Sequence, residues 1–534
     1  MFISIKSTFK HVDWAQFCGH ILVFVFASSL YAAVIYNIGI YSPSFQRLVG
    51  LAFIVAIGIY GYLSRAEWRT TILAIIFIAV VLYGYGYLRE FSYDGLEYHS
   101  ATPLTLDHGM RGSTDMRALG GMFWSEHYPK AFEFFAYTAK NLTTHFNSGK
   151  SFTLLLSVPA LFALMQLFRT IGQSSKSALV AAAACIYNPV AFGQLTTLYV
   201  DAAHYYCWTI FSVNLLFAIR DRPYSALQLG VALVLLVSSK MTGAVFAAIS
   251  IFVFFAVAFI GGDKKDLFRK YKSVLGQLAI WFFVAIATIG YSPYVENVAS
   301  GRNVLYPVLG PDKVDIISGH VSSNFLSMSR FDRFFVSYFS LPRNSETVEP
   351  TFVPSPEHLR EAFIALHTAD TRFAGFGPFF AVMLIICLIP FFWKRKEDAD
   401  IAKIYLIAIL VIVLIHPQSW WARYVPMLYM VPFLITAAFS YSRRQFHVII
   451  ALAVMNSVFA MASVAGYVIL KQTHYQNAVA SVREMCNQHP IALTPSLLNW
   501  EFDLRDDNLR MSTNSASAQP ECAVNFDKMM IMKK

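Results

Sequence analysis

Long apolar segments recur along most of the chain, and they constrain its fold more than any other feature. Each is about as long as a helix that crosses roughly 30 Å of hydrocarbon at 1.5 Å per residue. Of the 534 residues, 56% are hydrophobic and only 14% are charged, which is unlike a soluble globular chain. The sequence therefore predicts an all-α polytopic membrane protein with about thirteen transmembrane helices. The predicted spans are 17–41, 46–64, 70–89, 151–168, 177–197, 202–219, 224–239, 242–261, 273–291, 373–393, 402–416, 421–440 and 446–469.

The positions of Lys and Arg predict the orientation, because short cytoplasmic loops retain these residues. With the N-terminus inside, every second loop is basic. We therefore expect a transmembrane domain over 1–470 with outer loops at about 90–150 and 292–372, followed by an outer tail at 471–534. The formal charge of +10 is then a topology signal, and no nucleic-acid partner is expected. The first apolar run is long enough to remain as a span, so no cleavable signal peptide is expected.

Ionisable residues are concentrated at the outer ends of the predicted spans. Asp94, Glu97 and His99 follow the third span, within the segment Tyr-Asp-Gly-Leu-Glu-Tyr-His. Asp201 and His204 begin the sixth span. Such groups are costly near hydrocarbon and usually face a cavity, a partner or a substrate path. These residues are therefore candidates for one functional site.

Basic residues occur at the same predicted level. Lys240 ends the seventh span, and His416 and Arg423 flank the turn between the eleventh and twelfth spans. Residues of both charge signs at one interface are better explained by a single polar cavity than by independent accidents. We therefore expect all of these side chains to meet on the outer side.

Each of these residues also has a purely structural interpretation. Lys240 and Arg423 alternatively extend to lipid headgroups, and the histidines alternatively are hydrogen-bonded core residues. Asp201 alternatively caps the helix that it begins. Asp94 alternatively is a helix N-cap or belongs to a turn before Gly95.

The six cysteines fall into two groups. Four lie in or beside predicted helices, where a small buried hydrophobe is expected. Cys486 and Cys522 lie in the polar outer tail, where an oxidising compartment favours a bridge between them. The sequence contains no CxxC, HExxH or Walker motif, and therefore nothing in it indicates a metal cluster or nucleotide hydrolysis.

Several short motifs carry a family resemblance. Over roughly 90–470 the chain resembles the GT-C superfamily, whose members are glycosyltransferases that use lipid-phosphate-linked sugars. The motifs lie on the outer side in the order found in bacterial members. They are Tyr93 to His99, Asn188-Pro189 with Tyr199-Val200-Asp201, Gly301 to Pro307, Asp370 to Phe373 with Gly375 to Pro378, and Trp421 to Pro426.

The resemblance implies a GT-C-like bundle in a bacterial inner membrane, with an active site that faces the periplasm. It implies a polyprenyl-phosphate-linked sugar as donor and a glycan, glycolipid or protein as acceptor. It also adds Asn303, Tyr306 and Arg372 to the candidate substrate-binding residues.

The chemistry of such a transfer fits the residue types. It needs a base for the acceptor proton and positive charge for the departing phosphate. Asp94 is the candidate base, and Lys240, Arg372 and Arg423 are candidate cations. One carboxylate with direct displacement predicts inversion at the anomeric carbon. We expect no cofactor, and the sequence shows no tight cluster of oxygen ligands for a divalent metal.

Two other functions remain open from the sequence. An O-antigen polymerase or ligase also uses lipid-linked glycans and a large outer loop, in which His320, His358 and His367 lie. A lipid-linked glycan transporter or flippase predicts charges on both faces or at the midplane, together with repeat symmetry. The sequence shows the charges at one face and no evident repeat.

Overall fold

The described residues make up most of the chain. The structure is a computed structural model, and it describes residues 12–39, 55–109, 123–260, 264–315, 321, 323–343, 350, 355–389, 400–439, 443–486, 491–493, 504, 507, 522–524 and 530.

The described residues are predominantly helical, as the sequence predicts. The α-helices are α1 (Trp14–Ile38), α2 (Trp68–Gly86), α3 (Ala101–Asp107), α4 (Phe123–His127), α5 (Ala131–Thr143), α6 (Phe152–Thr170), α7 (Ser175–Ile186), α8 (Pro189–Gln194), α9 (Asp201–Ile219), α10 (Ala226–Val237), α11 (Met241–Ile260), α12 (Lys264–Ala287), α13 (Glu296–Ala299), α14 (Ser323–Leu326), α15 (Arg330–Tyr338), α16 (Pro356–Ala365), α17 (Phe380–Leu388), α18 (Asp400–Ile415), α19 (Val431–Phe439) and α20 (Arg443–Cys486). A further helical stretch covers 55–63. Tighter or wider helical turns occur at Gly95–His99, Phe146–Ser151, Tyr291–Val295, Ala422–Tyr424 and Pro426–Met430. Two strands, β1 (Ala492–Leu493) and β2 (Ala523–Val524), form one short parallel pair.

The chain has the helices of a multi-pass membrane protein. Within the described ranges, six helices are long and apolar enough to cross a membrane, and a seventh span is possible as a bent pair. That pair joins Tyr271–Ala287 to Tyr291–Ala299 at an angle of 84°. The predicted count of about thirteen spans is therefore not confirmed.

Among the described residues, several of the other predicted spans are interrupted or short, whereas the predicted spans 46–64 and 373–393 lie partly outside the described residues. The expected span 177–197 breaks where the Asn188 side chain accepts a hydrogen bond from the amide of Ala191 at 3.2 Å. Pro189 follows at the first helical position, where its fixed φ suits a new helix but not the continuation of the preceding one. Helix α10 has 12 residues and α17 has 9. An apolar segment of sufficient length therefore did not always form one continuous helix.

The core is formed around α9, in which every residue is buried. Helix α5 also belongs to the core, although the sequence placed it in an outer loop. Its Phe132, Phe134 and Phe135 are fully buried, and the Thr138 hydroxyl donates a hydrogen bond to the Ser28 carbonyl oxygen at 2.8 Å. Helix α5 therefore packs directly against α1.

Helix α20 continues well past its apolar part. Its 44 residues extend over about 66 Å, roughly twice the hydrocarbon thickness of a bilayer. Buried side chains from the end of α20 pack with residues of the tail, including Leu504 and Val524, and with Leu96 from the loop after α2. The tail is therefore packed against the loop that carries Asp94.

Candidate functional site

A cavity of about 770 Å³ lies among four parts of the chain. They are the loop after α2, the turn between α8 and α9, the segment between α16 and α17, and one face of α20, and Trp124 of α4 adds a fifth contribution. Asp94, Glu97, Asp370 and Arg372 contribute ionisable side chains to its wall. Tyr93, Tyr98, Trp124, Tyr199 and Tyr467 contribute aromatic rings. The cavity therefore combines charge with flat apolar surfaces, as sites for small-molecule ligands do.

Arg423 joins two of the cavity carboxylates from one side. Its Nη1 atom lies 3.4 Å from Oδ2 of Asp94, and its Nε atom lies 3.2 Å from Oδ1 of Asp370. The Arg423 side chain is 13% exposed. Burial lowers its pKa, but the negative charge of Asp370 and other nearby acidic groups raises it well above the ordinary value. The guanidinium is therefore a permanent positive charge beside the cavity.

Aromatic rings hold the Arg423 guanidinium in place. Its central carbon lies 5.4 Å from the ring centroid of Tyr199, 4.8 Å from that of Trp421 and 5.1 Å from that of Tyr424. Such contacts stabilise a cation without neutralising it. The structural alternative for Arg423, in which it reaches lipid headgroups, does not fit this enclosed position.

Asp94 also receives hydrogen bonds from tyrosines. The Tyr98 hydroxyl donates to Oδ2 of Asp94 at 3.3 Å. Burial raises the pKa values of Tyr98 and Tyr199 well above the ordinary value, and the charge of Asp94 raises them further. These phenols therefore remain protonated donors around the carboxylate at neutral pH.

Asp370 is a cavity residue that the sequence did not single out. Burial raises its pKa from 3.8 to about 6, although Arg423 opposes that shift. Its side chain is 25% exposed. The only sequence signal was its position two residues before Arg372 in a motif of the resemblance. Nothing in the sequence indicated that it lies beside Arg423.

Asp201 and Lys240 form an ion pair beside this cluster. Gln194 donates from Nε2 to Oδ2 of Asp201 at 2.9 Å, and the Lys240 ammonium lies 4.8 Å from the ring centroid of Tyr424. The residue at the cap position of α9 is Val200, so the capping interpretation of Asp201 is not supported. The Tyr424 ring contacts both cations and links this pair to Arg423.

The two histidines of the predicted cluster serve structural contacts. Nδ1 of His204 lies 2.8 Å from the Ser239 hydroxyl. The ring of His416 stacks on Tyr424 at 5.6 Å, and its Nδ1 accepts a hydrogen bond from the amide of Gln418 at 3.1 Å. His416 thus supports the ring that both cations contact.

Other predicted residues lie away from the cavity wall. His99 is buried and pairs with Glu133 at 2.6 Å, through Nδ1 and Oε1. Asn303 is exposed, and its side chain accepts a hydrogen bond from the amide of Leu305 at 2.9 Å. The Tyr306 ring packs against His127, with centroids 4.9 Å apart. The structure therefore gives these three residues local partners and does not bring them to the cavity.

The histidines of the large outer loop have different surroundings. His358 completes a capping box at the start of α16. His367 lines the cavity and stacks on Tyr467 at 4.3 Å. His320 lies outside the described residues.

Glu90 positions the loop that carries Asp94, and the sequence analysis did not identify it. Its fully buried carboxylate accepts hydrogen bonds from the Ser92 amide at 2.8 Å and the Ser92 hydroxyl at 2.6 Å. Its second oxygen accepts from the Leu198 amide at 2.7 Å. One side chain therefore ties the loop after α2 to the turn before α9.

Metal binding has no evident site in the part of the chain that the structure describes. No group of three or more His, Cys, Asp or Glu side chains there has an arrangement that would hold a metal ion. The carboxylates of Asp94, Asp201 and Asp370 are each close to a basic side chain.

Comparisons with known proteins add one similarity. No family model matches the sequence, and no curated protein matches it. Among solved structures, the chain is similar to a crystal structure of ArnT from Cupriavidus metallidurans in the apo state. The identity is 13%, the match covers 85% of this chain and 88% of that chain, and the TM-score is 0.45. An identity and a TM-score this low say nothing about the activity of this chain.

Proposed function

We propose that the protein is a membrane glycosyltransferase of the GT-C type. In this proposal it transfers a sugar from a polyprenyl-phosphate donor to an extracytoplasmic acceptor, which is a glycolipid, an O-antigen glycan or a protein. Asp94 is the base, and the sugar configuration inverts. The protein lies in a bacterial inner membrane with its cavity open to the periplasmic side, as the distribution of Lys and Arg predicts.

The observation that carries this proposal is the contact of Arg423 with Asp94 beside a large cavity. The guanidinium Nη1 atom is 3.4 Å from the Asp94 carboxylate, and Asp94 lines a cavity of about 770 Å³. A transfer from a phosphate ester needs a proton acceptor and a fixed cation at adjacent positions. Asp94 on the cavity wall supplies the first, and Arg423, which contacts Asp94 beside the cavity, supplies the second. Arg372 is a further cation on the wall itself.

The reaction follows from these roles. The acceptor hydroxyl gives its proton to Asp94 as its oxygen forms a bond to the anomeric carbon. The bond between that carbon and the phosphate oxygen breaks, and its electron pair stays on the phosphate. Arg423 and Arg372 stabilise the resulting negative charge. No general acid is required, because a phosphate is a good leaving group.

Remaining members of the cluster position these groups. Lys240 and Asp201 form an ion pair, and the Lys240 ammonium contacts the Tyr424 ring that lies beside Arg423. Glu97 lines the cavity and is assigned to contacts with sugar hydroxyls. The other candidates from the sequence, His99, His204, Asn303 and Tyr306, are proposed to support the site rather than to touch the sugar.

The deciding experiment is an assay of the purified protein with a panel of polyprenyl-phosphate sugars and candidate acceptors. The mass of the product identifies the donor and the reaction class together. A single sugar added to the acceptor supports the proposal. Transfer of a whole lipid-linked glycan would instead indicate a polymerase or ligase, and movement of lipid without a new glycosidic bond would indicate a transporter.

A further inference from the structure

A second cavity, of about 620 Å³, adjoins the first. Its walls are the end of α2 with the following residues, one face of α20 from Val468 to Arg483, and Asp507 of the tail. Arg89 and Val468 line both cavities. The second cavity therefore lies next to the proposed active site and shares part of its wall.

Charged and polar groups in this second cavity contact one residue of the tail, Asp507. Nη2 of Arg89 lies 3.2 Å from Oδ1 of Asp507, and the Tyr475 hydroxyl donates to Oδ2 of Asp507 at 2.6 Å. Arg483 donates from Nη2 to the backbone oxygen of Asp507 at 2.6 Å. The Arg89 guanidinium also lies over the Tyr475 ring, 5.3 Å from its centroid. Arg89 and Tyr475 thus supply two donors to the carboxylate, and Arg483 adds a second guanidinium beside them, an arrangement that fits an oxyanion.

This arrangement lies where two apolar segments of the sequence end. Arg89 comes three residues after the end of α2, which is a candidate span. The apolar part of α20 was predicted to end near residue 469, and Tyr475 and Arg483 lie in the polar part beyond it. Both walls of the cavity therefore lie just beyond the end of a predicted apolar segment, which is the level at which basic and aromatic side chains meet lipid phosphates.

Apolar side chains continue the cavity wall toward the hydrocarbon. Val468 and Ile469 line it beside Leu88, and the Ile469 side chain is 68% exposed. An anionic head and an apolar chain would each find a matching surface here. A soluble anion would use only the first of these.

We propose that Arg89, Tyr475 and Arg483 bind the phosphate headgroup of an anionic lipid, whose chain lies along Val468 and Ile469. Asp507 occupies this headgroup site when no lipid is bound. The lipid and Asp507 compete, because both present oxyanions to the same donors. This site does not depend on the proposed sugar transfer, since it is defined by binding alone.

Photolabelling in nonionic detergent tests the proposal. The full chain is incubated with photoreactive phosphatidic acid, or with photoreactive diacylglycerol that has the same acyl chains and no phosphate, and the labelled peptides are mapped by mass spectrometry. Phosphatidic acid should label 468–483 well above the level of diacylglycerol. Arg89→Gln should raise the half-maximal lipid concentration about 10-fold to 100-fold, because a hydrogen bond to a charged group is lost.

The Asp507 variant gives a result in the opposite direction. Asp507→Asn should lower the half-maximal lipid concentration, because the internal competitor loses its charge. Arg360→Gln is the matched control, since Arg360 is exposed on α16 and lines neither cavity. It should leave the labelling unchanged.

Three outcomes would overturn the proposal. Equal labelling by phosphatidic acid and diacylglycerol would mean that no phosphate is recognised. Displacement of the lipid by inorganic phosphate at equal concentration would indicate a site for soluble anions. Unchanged labelling in both Arg89→Gln and Asp507→Asn would exclude these residues from the site. Each readout is independent of turnover, so failure of the transferase proposal would not affect it.

Discussion

The guanidinium Nη1 atom of Arg423 lies 3.4 Å from the carboxylate of Asp94, although 329 positions separate the two residues in the chain. Its Nε atom lies 3.2 Å from Asp370. One cation therefore contacts two carboxylates of the same cavity wall. A ligand phosphate that approaches Arg423 must share it with both, and this sets the electrostatics of the proposed site.

Replacement of the proposed base should abolish turnover without preventing folding. Asp94→Asn keeps the shape of the side chain but removes the proton acceptor, and loss of a general base typically lowers the rate about 100-fold to 10,000-fold. The variant should still bind donor. Turnover is measured with the lipid-phosphate sugar that the panel identifies. Asp400→Asn, at a carboxylate that is 68% exposed, is the control, and Asp94→Asn activity within about threefold of wild type would refute the assignment.

Replacement of Arg423 should affect the step in which phosphate leaves. Arg423→Ala should lower kcat/KM about 100-fold to 1,000-fold, because a fixed positive charge at the leaving group is lost. Arg423→Lys should recover only part of this, because the planar fork that contacts two carboxylates is absent.

Lys240 provides a second test of the cations. Lys240→Ala leaves Asp201 without its ion-pair partner and removes the contact with Tyr424, so donor affinity should fall. Lys403→Ala, which removes the partner of the exposed Asp400, is the control. Normal donor binding and turnover in both Lys240→Ala and Arg423→Ala would mean that these cations are only structural.

Asp370 should make stability depend on pH in a defined direction. Its pKa rises from 3.8 to about 6 on folding because it is buried, with Arg423 and Arg372 opposing and Asp94 and Asp201 adding to the shift. The folded state thus holds the proton more tightly than the unfolded state. The contribution of Asp370 to the free energy of unfolding is therefore fully present below about pH 4 and is lost as the pH rises through 6.

Asp370→Asn should remove that pH dependence. The difference in free energy of unfolding between the variant and wild type should increase in the variant's favour from pH 4 to pH 7, by an amount on the order of 1–3 kcal/mol. Thermal unfolding in detergent at a series of pH values measures it. Parallel curves for the two proteins would show that Asp370 titrates normally.

The sequence predicted the class of fold and several members of the cluster. Asp94, Asp201, Lys240 and Arg423 were grouped because each lies where an apolar segment meets a polar one, and desolvation confines charges to such boundaries. The structure brings these four together. Asp370 was missed because hydropathy indicates how close a residue is to the end of a span. It does not indicate which other segments of the bundle the residue faces.

The number of spans and the surroundings of two site residues could not be predicted from local sequence patterns. The break at Asn188 depends on a side-chain cap, and an apolar run does not reveal it. Asn303 and Tyr306 were chosen from a motif, yet their partners in the structure are Leu305 and His127. The order of motifs along the chain does not show how far apart the motifs lie in the folded protein.

A glycine in the Asp94 loop should be intolerant of any side chain. A Cβ atom at Gly95 would lie 2.5 Å from Oγ of Ser92 and 2.7 Å from Cδ of Glu90. Because Glu90 is fully buried and holds the Leu198 amide, it has little room to move. Gly95→Ala should therefore destabilise the protein by about 1–3 kcal/mol and reduce turnover by displacing Asp94.

Gly84 is the matched control for that change. It lies in α2, and a Cβ atom there has nothing within 4 Å. Gly84→Ala should leave turnover unchanged and raise helix stability by up to about 1 kcal/mol. Melting temperature and turnover are measured for both variants, and equal behaviour would show that the space around Gly95 is not limiting.

The tail should carry a disulfide if it faces an oxidising compartment. Cys486 and Cys522 are both buried and both free in the structure, and Sγ of Cys522 lies 3.6 Å from the carbonyl oxygen of Cys486. The pairing of β1 with β2 holds the two segments side by side. A bridge would close a loop of roughly 35 residues and stabilise the tail by on the order of 3–4 kcal/mol in the chain-entropy model. Intact mass and alkylation with and without reductant report the bridge.

The side of the membrane requires a separate measurement. A reporter that is active only in the periplasm, fused after Lys534, should be active, and cysteine labelling of the loop 90–150 should occur from the same side. A cytoplasmic reporter would mean that the number of spans is even. Labelling of that loop from the cytoplasm would remove the physical basis of the proposed transfer, because Asp94 and Arg423 would then face the wrong side of the membrane for an extracytoplasmic acceptor.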